Sequence, residues 1–294
     1  MSGWAIPFRG ETKELNETTR ANLPGQFIRL RDGVTHYELA GPPDGQVAVL
    51  IHGFSYPYHT WDGAFLALAE AGLRVLRYDL FGRGYSDRPR ARYGPDLFER
   101  QWLDLLAALS LAGPADLVGL SMGGALAILF ADHHPGQVRR LALIAPAGFP
   151  FRLSFKNRLG LIPGLGEALF GLFGDRVLVS GLSKDLHQAA GLPEYVATYL
   201  PPMRYRGFKR ALLSTARHMP LTGLAESYAR VGQQGRPTLL LWGRHDRMIP
   251  FETHHKVLAA IPHAEFHPIE GASHIPHYER PEAVNPLLIG FLTR

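Results

Sequence analysis

The pentapeptide Gly119-Leu120-Ser121-Met122-Gly123 sets a single hydroxyl among small residues, where an apolar run meets a helix-forming run. Asp116 to Leu120 reads as a short buried strand, and Ala125 to His134 as a helix that Pro135 and Gly136 terminate, so Ser121 falls on the turn between them. A strand-to-helix reversal this tight pushes its central residue toward strained backbone angles and leaves no room for side chains two positions away. Glycine at 119 and 123 meets that need. Such a turn holds the hydroxyl clear of the sheet and aims the first amides of the following helix at whatever the oxygen attacks. A chance glycine-serine turn is the plain alternative, and the pentapeptide alone is only moderately specific.

A serine hydroxyl is a poor nucleophile until a base takes its proton and a carboxylate orients that base. In this type of site the chain order is Ser, acid, His. Of the fourteen histidines, 254, 255, 263, 267, 274 and 277 follow a plausible acid. His254 and His255 lie in Phe251 to Ile261, which reads as a helix, and His263 and His267 flank or occupy the strand expected at Glu265 to Ile269; these read as structural or solvated. His274 lies in the glycine-containing loop Glu270 to His274, after that strand and before a helix opened by Pro281. Loops at strand C-termini are where such sheets gather their chemistry, so His274 is the expected base and His277 the runner-up.

The acid follows by elimination. Asp246 stands after Thr238 to Gly243, which reads as a buried parallel strand, whereas no Asp or Glu occurs between Gln137 and Glu167 to serve the preceding strand. Its other reading is a loop aspartate paired with Arg244 or Arg247. Acyl transfer also needs donors for the developing oxyanion, each worth roughly 10²- to 10³-fold in rate. The Met122 amide is one. The Phe54 amide, in His52-Gly53-Phe54 after the strand Val47 to Ile51, is the second, and His52 reads as a brace for that loop.

With these elements the chain resembles the α/β-hydrolase superfamily over about residues 28 to 294, and the segment RYDLFGRGYSDRP from Arg77 to Pro89 matches a strand-end loop of its esterase, lipase and carbon-carbon hydrolase branches. The narrower resemblance is to monoacylglycerol-lipase-like and lysophospholipase-like carboxylesterases, including the segment LPGQFIRLRDGVTHYELAGP. Epoxide hydrolases and haloalkane dehalogenases of this superfamily carry aspartate at the elbow, where this chain has Ser121. The carbon-carbon hydrolases usually have Asn before the serine and Trp after the histidine; this chain has Leu120 and Ile275.

The elements that must carry these residues are consistent with that architecture. At 294 residues and 46% hydrophobic content the chain fills one large α/β domain with an insertion. Strands are expected near 28–31, 34–40, 47–52, 74–79, 115–120, 138–145, 236–243 and 264–270: a hairpin turning at Asp32-Gly33, then βα alternation and a mostly parallel twisted sheet flanked by helices. Between Gly148 and about Gly235 the alternation stops for roughly ninety residues, too many for an ordinary connection. The division is therefore a core of 1–147, with an N-terminal extension 1–27, a helical cap of 148–235, and a second core part of 236–294. Phe149, Phe151, Phe155, Leu161, Leu165, Leu169, Leu172 and Phe173 make the first half of the cap apolar, with 161, 165, 169 and 172 on one helical face. That face packs the cap on the core or lines an acyl channel, for which Phe149, Leu165, Leu169 and Ile275 are the candidate lining residues.

The net charge of +5 is scattered, with no aromatic-basic stacking motif, which argues against nucleic acid. Arg204, Arg206, Lys209, Arg210 and Arg217 form the densest basic region. It reads as a solvated helix face, with weak contact to anionic lipid surfaces as the alternative. With no cysteine, disulfides and thiolate chemistry are excluded, and the redox compartment stays open. The apolar patch Trp4 to Phe8 is too short to span a membrane. The expected location is cytoplasmic, with export after signal removal as the alternative. Asp87 stands where a dinucleotide fingerprint starting at Gly82 needs its third glycine, and the adjacent pairs His133/His134 and His254/His255 lack metal-binding i, i+4 spacing. No cofactor or metal is implied. The expectation is a serine hydrolase of carboxylic esters of moderate to long acyl chains, including acylglycerols or lysolipids. Carbon-carbon hydrolysis, perhydrolysis or acyl transfer, and a non-enzymatic ligand receptor are the alternatives.

Overall fold

A computed structural model describes residues 8–111, 113–150 and 160–294. Its strands β1 (Gln26–Arg29), β2 (Val34–Ala40), β3 (Val47–Ile51), β4 (Arg74–Tyr78), β5 (Ala115–Leu120), β6 (Val138–Ile144), β7 (Thr238–Gly243) and β8 (Glu265–Ile269) form one sheet. The order is β1-β2-β4-β3-β5-β6-β7-β8. β2 runs antiparallel to β1 and β4, and the other neighbours are parallel. The expected hairpin is closed by the Leu30 N–H on Gly33 O at 2.8 Å.

β3, β5 and β7 are buried along their whole lengths, the mark of a parallel sheet covered on both faces. The period-two alternation divides their side chains between two apolar layers. Val49, Ile51 and Leu117 enter one, with the helices Pro95–Ala108 and Met122–His133; Ala48, Leu50 and Val118 enter the other, with Asp62–Glu70 and Pro281–Leu292. Trp102 stacks on Phe130 across the first layer, ring centres 4.6 Å apart. The winding reverses between β3 and β5: the chain steps from β3 outward to β4, then returns past β3 to β5. β3 and β5 therefore flank the switch point, beyond whose strand ends sheets of this kind place their ligand sites.

Between β6 and β7 the described residues form the helices Leu165–Leu182, Leu192–Met203, Phe208–His218 and Ala225–Gln233. The first begins after Gly164, so Leu161 lies outside it, and Leu165, Leu172 and Phe173 are 42%, 65% and 53% exposed. The expected packing of that face on the core is therefore corrected: periodicity identifies an apolar stripe but not what covers it. Phe151 and Phe155 lie outside the described residues. The solvated basic face is corrected in part: Arg204 and Arg206 are exposed, but the others are not free. Lys209 is buried and pairs with Asp175 at 2.8 Å, Arg217 pairs with Glu167, and Arg210 donates to the Arg88 carbonyl at 2.7 Å. No helix among the described residues is long and apolar enough to cross a membrane.

Candidate active site

Ser121 stands between β5 and the Met122–His133 helix with φ 54° and ψ −115°. The helix starts at Met122, three residues before the sequence pattern places it, because the turn delivers the chain directly into helical angles. A positive φ outside glycine costs about 1–3 kcal/mol and persists only where its surroundings impose it. Here the Ser121 N–H donates to Ile144 O at 2.9 Å, and Ser121 O accepts from the Ala125 and Ala147 amides at 3.1 and 3.0 Å. A Cβ at Gly119 would strike the Gly123 backbone, and one at Gly123 the carbonyls of Ile51 and His52. The glycine spacing thus reflects close approach of the elbow to the end of β3 as well as the turn itself.

Asp246 and His274 meet in the loops after β7 and β8. His274 Nδ1 lies 2.8 Å from Asp246 Oδ2, and both side chains are buried. The other carboxylate oxygen accepts the Met248 and Ile249 backbone N–H groups at 2.8 and 2.9 Å. Arg244 turns away to Glu270 at 3.0 Å. Giving Nδ1–H to the carboxylate leaves Nε2 as the basic nitrogen. Burial alone would push the imidazole pKa down; the Asp246 charge and hydrogen bond, with the Asp185 charge, reverse this and hold it above the ordinary value. The runner-up has no such partner: His277 Nε2 bonds Thr60 Oγ1 at 3.0 Å, its ring lies against Trp61, and burial pushes its pKa down to about 3. His254 stacks on Phe266, and His267 bonds Glu265 on the edge strand β8.

Gly53, in the loop after β3, lies against the elbow: a Cβ there would be 3.6 Å from that of Ser121. The backbone N–H groups of Phe54 and Met122 find no acceptor among the described residues. His52 braces this loop, its Nδ1–H donating to Gly53 O at 2.8 Å while Nε2 accepts the Leu80 N–H at 3.0 Å. Burial lowers its pKa to about 4, so it stays neutral at physiological pH.

Three further residues bear on the site: Arg83 lies in the Arg77 to Pro89 segment, whose sequence marks a loop but gives this arginine no role, and Asp185 and Glu279 carry no sequence signal. Arg83 is fully buried, with Nε on the Phe54 carbonyl at 2.8 Å and Nη1 on that of Phe81 at 3.2 Å, while Nη2 has no partner among the described residues. Burial pulls its pKa down to about 9. Asp185, after the Leu165–Leu182 helix, accepts from the Tyr195 hydroxyl at 3.2 Å, and its backbone carbonyl takes the His274 N–H at 3.0 Å. Burial raises its carboxyl pKa to about 6, against the pull of the His274 charge. Glu279, on the short helix Pro276–Glu279, accepts the Ser273 N–H at 2.6 Å.

The candidate lining residues differ in their burial. Phe149 is buried against Tyr228 with ring centres 4.8 Å apart, Ile275 is buried in the second apolar layer, and Leu165 is 42% exposed. Leu169 is half-buried. Leu165 stands on the first turn of its helix, whose apolar stripe is open to solvent here.

A family model described as the alpha/beta hydrolase family matches residues 48–287. The 2-hydroxymuconate semialdehyde hydrolase of Pseudomonas putida is 31% identical over 262 residues, covering 85% of this chain and 88% of its own. Among solved structures, the enol-lactonase from Burkholderia xenovorans superposes with a TM-score of 0.78 at 22% identity, covering 92% of this chain and 100% of its own. An esterase from Exiguobacterium antarcticum gives 0.78 at 20%, with the same two coverages. At those identities the likeness speaks for the fold alone.

Proposed function

We propose, for a chain that belongs to the alpha/beta hydrolase family, that this hydrolase cleaves carboxylic esters through an acyl-enzyme on Ser121. Ser121 Oγ attacks the ester carbonyl carbon while His274 Nε2 takes its proton. The oxyanion receives the Phe54 and Met122 amides. As the intermediate collapses, the carbon–oxygen bond to the alcohol breaks and His274 returns the proton to the departing oxygen. Water then attacks the acyl carbon while giving a proton to His274, the bond from Ser121 Oγ to that carbon breaks as His274 returns the proton to Ser121, and the carboxylic acid leaves. Asp246 holds the imidazole in the tautomer that keeps Nε2 free and stabilises the imidazolium. The helices of 148–235 act as a cap, and the acyl chain lies beneath it.

The observation that carries this reading is the His274–Asp246 bond at 2.8 Å, at the same end of the sheet as a serine held at φ 54°. Carbon-carbon hydrolysis of meta-cleavage type is the second reading, favoured by the 31% identity to the Pseudomonas putida enzyme. The apolar Leu120 and Ile275, both buried, favour the ester reading, since the carbon-carbon branch usually carries Asn and Trp there. Kinetics on an ester series from acetate to oleate, run beside a vinylogous diketone, separate the two. Higher kcat/KM on esters supports the first reading, and higher kcat/KM on the diketone transfers the assignment to the second. Ser121→Ala should lose on the order of 10⁶-fold in kcat; turnover near wild type would remove Ser121 as the nucleophile.

A further inference from the structure

The loops carrying His274 and Asp246 are bolted to one turn of the inserted helices, residues 184–188. The His274 N–H donates to Asp185 O at 3.0 Å. Ser273 Oγ reaches Lys184 O at 2.9 Å and His245 O at 3.1 Å. The His187 ring stacks on that of His245, the neighbour of Asp246, with centres 4.1 Å apart and planes within 13°. Glu279 closes the assembly. One of its carboxylate oxygens accepts the Ser273 N–H at 2.6 Å, and the other accepts the His187 N–H, with the Gln188 N–H at 3.4 Å. No basic side chain forms a salt bridge with it among the described residues, so this carboxylate is held by backbone donors from two separate segments.

We propose that Glu279 is a positioning residue that couples docking of the 184–188 turn to placement of the His274 imidazole against Asp246. This inference rests on the reading of His274 as the base. Its chemistry is that of an acceptor with two oxygens: an isosteric amide offers only one, and its NH₂ would confront a backbone N–H, so glutamine can hold one segment but not both. The C-terminal end of the Leu165–Leu182 helix is then a fixed anchor of the cap.

The test compares Glu279→Gln and Glu279→Ala with the wild-type chain by ester kinetics and amide hydrogen exchange. Displacing a reacting group by about 1 Å costs around 10²-fold in rate, so kcat should fall by that order while KM stays within about twofold. Exchange protection should drop together at 185–188 and 272–275, with circular dichroism unchanged in at least the glutamine variant. Two results overturn the proposal: kcat within twofold of wild type while both segments lose protection, or a loss of kcat with both segments still protected. Turnover surviving in His274→Ala would instead remove the base assignment, a failure distinguishable because the exchange result at the two segments stands without it.

Discussion

Asp246→Asn replaces one carboxylate oxygen by an NH₂ group at nearly constant shape, and the geometry dictates its consequence. Asp246 accepts three hydrogens: the His274 Nδ1–H at 2.8 Å on one oxygen, and the Met248 and Ile249 amides at 2.8 and 2.9 Å on the other. Asparagine keeps one acceptor oxygen, and the two backbone donors are fixed by their loop, so that oxygen stays with them and the NH₂ faces the ring. His274 must then accept at Nδ1 and carry its proton on Nε2, the nitrogen that should take the proton of Ser121. A wrong tautomer of this kind costs about 10⁴-fold in kcat, which is roughly 5.5 kcal/mol of barrier. Folding should suffer far less, because what is lost is one charge-assisted hydrogen bond, about 1.5–3 kcal/mol. The assay pairs kcat/KM on a p-nitrophenyl ester with the rate of fluorophosphonate labelling, both against pH, and a thermal melt. Both rates should collapse together. With the carboxylate charge gone, burial dominates the imidazole, so the acid limb of the residual activity should move to lower pH. Activity within tenfold of wild type, or a limb that moves upward, would refute the tautomer argument.

Two more outcomes follow from buried charges. Asp185 is held neutral up to about pH 6 in the folded chain, above its unfolded value near 4. Because the raised pKa lets the native state bind the proton more tightly, its contribution is favourable below the unfolded pKa and is lost as pH rises through the folded one, on the order of 2–3 kcal/mol. Asp185→Asn should therefore raise Tm at pH 8 relative to wild type and leave it little changed at pH 4; equal effects at both pH values would mean that burial does not govern this carboxyl. Arg83→Met should leave the Phe54 carbonyl without its donor and loosen the oxyanion loop. We expect kcat to fall by up to the ~10²-fold of a lost oxyanion donor with KM nearly constant, and a rise in KM alone would show that Arg83 serves substrate binding.

What the sequence alone determined is whatever depends on near neighbours. The elbow was legible because a strand-to-helix turn demands small residues two positions either side of Ser121, and the alternation of buried strands with helices prescribed a mostly parallel sheet. Chain order led to Asp246 and His274, since each follows a recognisable strand. Tertiary structure decided the rest. His274 and His277 are three residues apart, and only packing gives one a carboxylate and the other Thr60. Lys209 reads as solvated until Asp175 comes to meet it, and Leu165 reads as covered until its helix is laid down with that side open. Asp185 and Glu279 are ordinary charged residues in the chain, and Arg83 stands in a recognisable loop segment without a marked role; their relation to the site arises from contacts with segments remote in sequence, which no local pattern encodes. Local backbone geometry repeats with short periods and so leaves its mark in sequence, whereas the pairing of distant segments is selected by the burial of the whole chain.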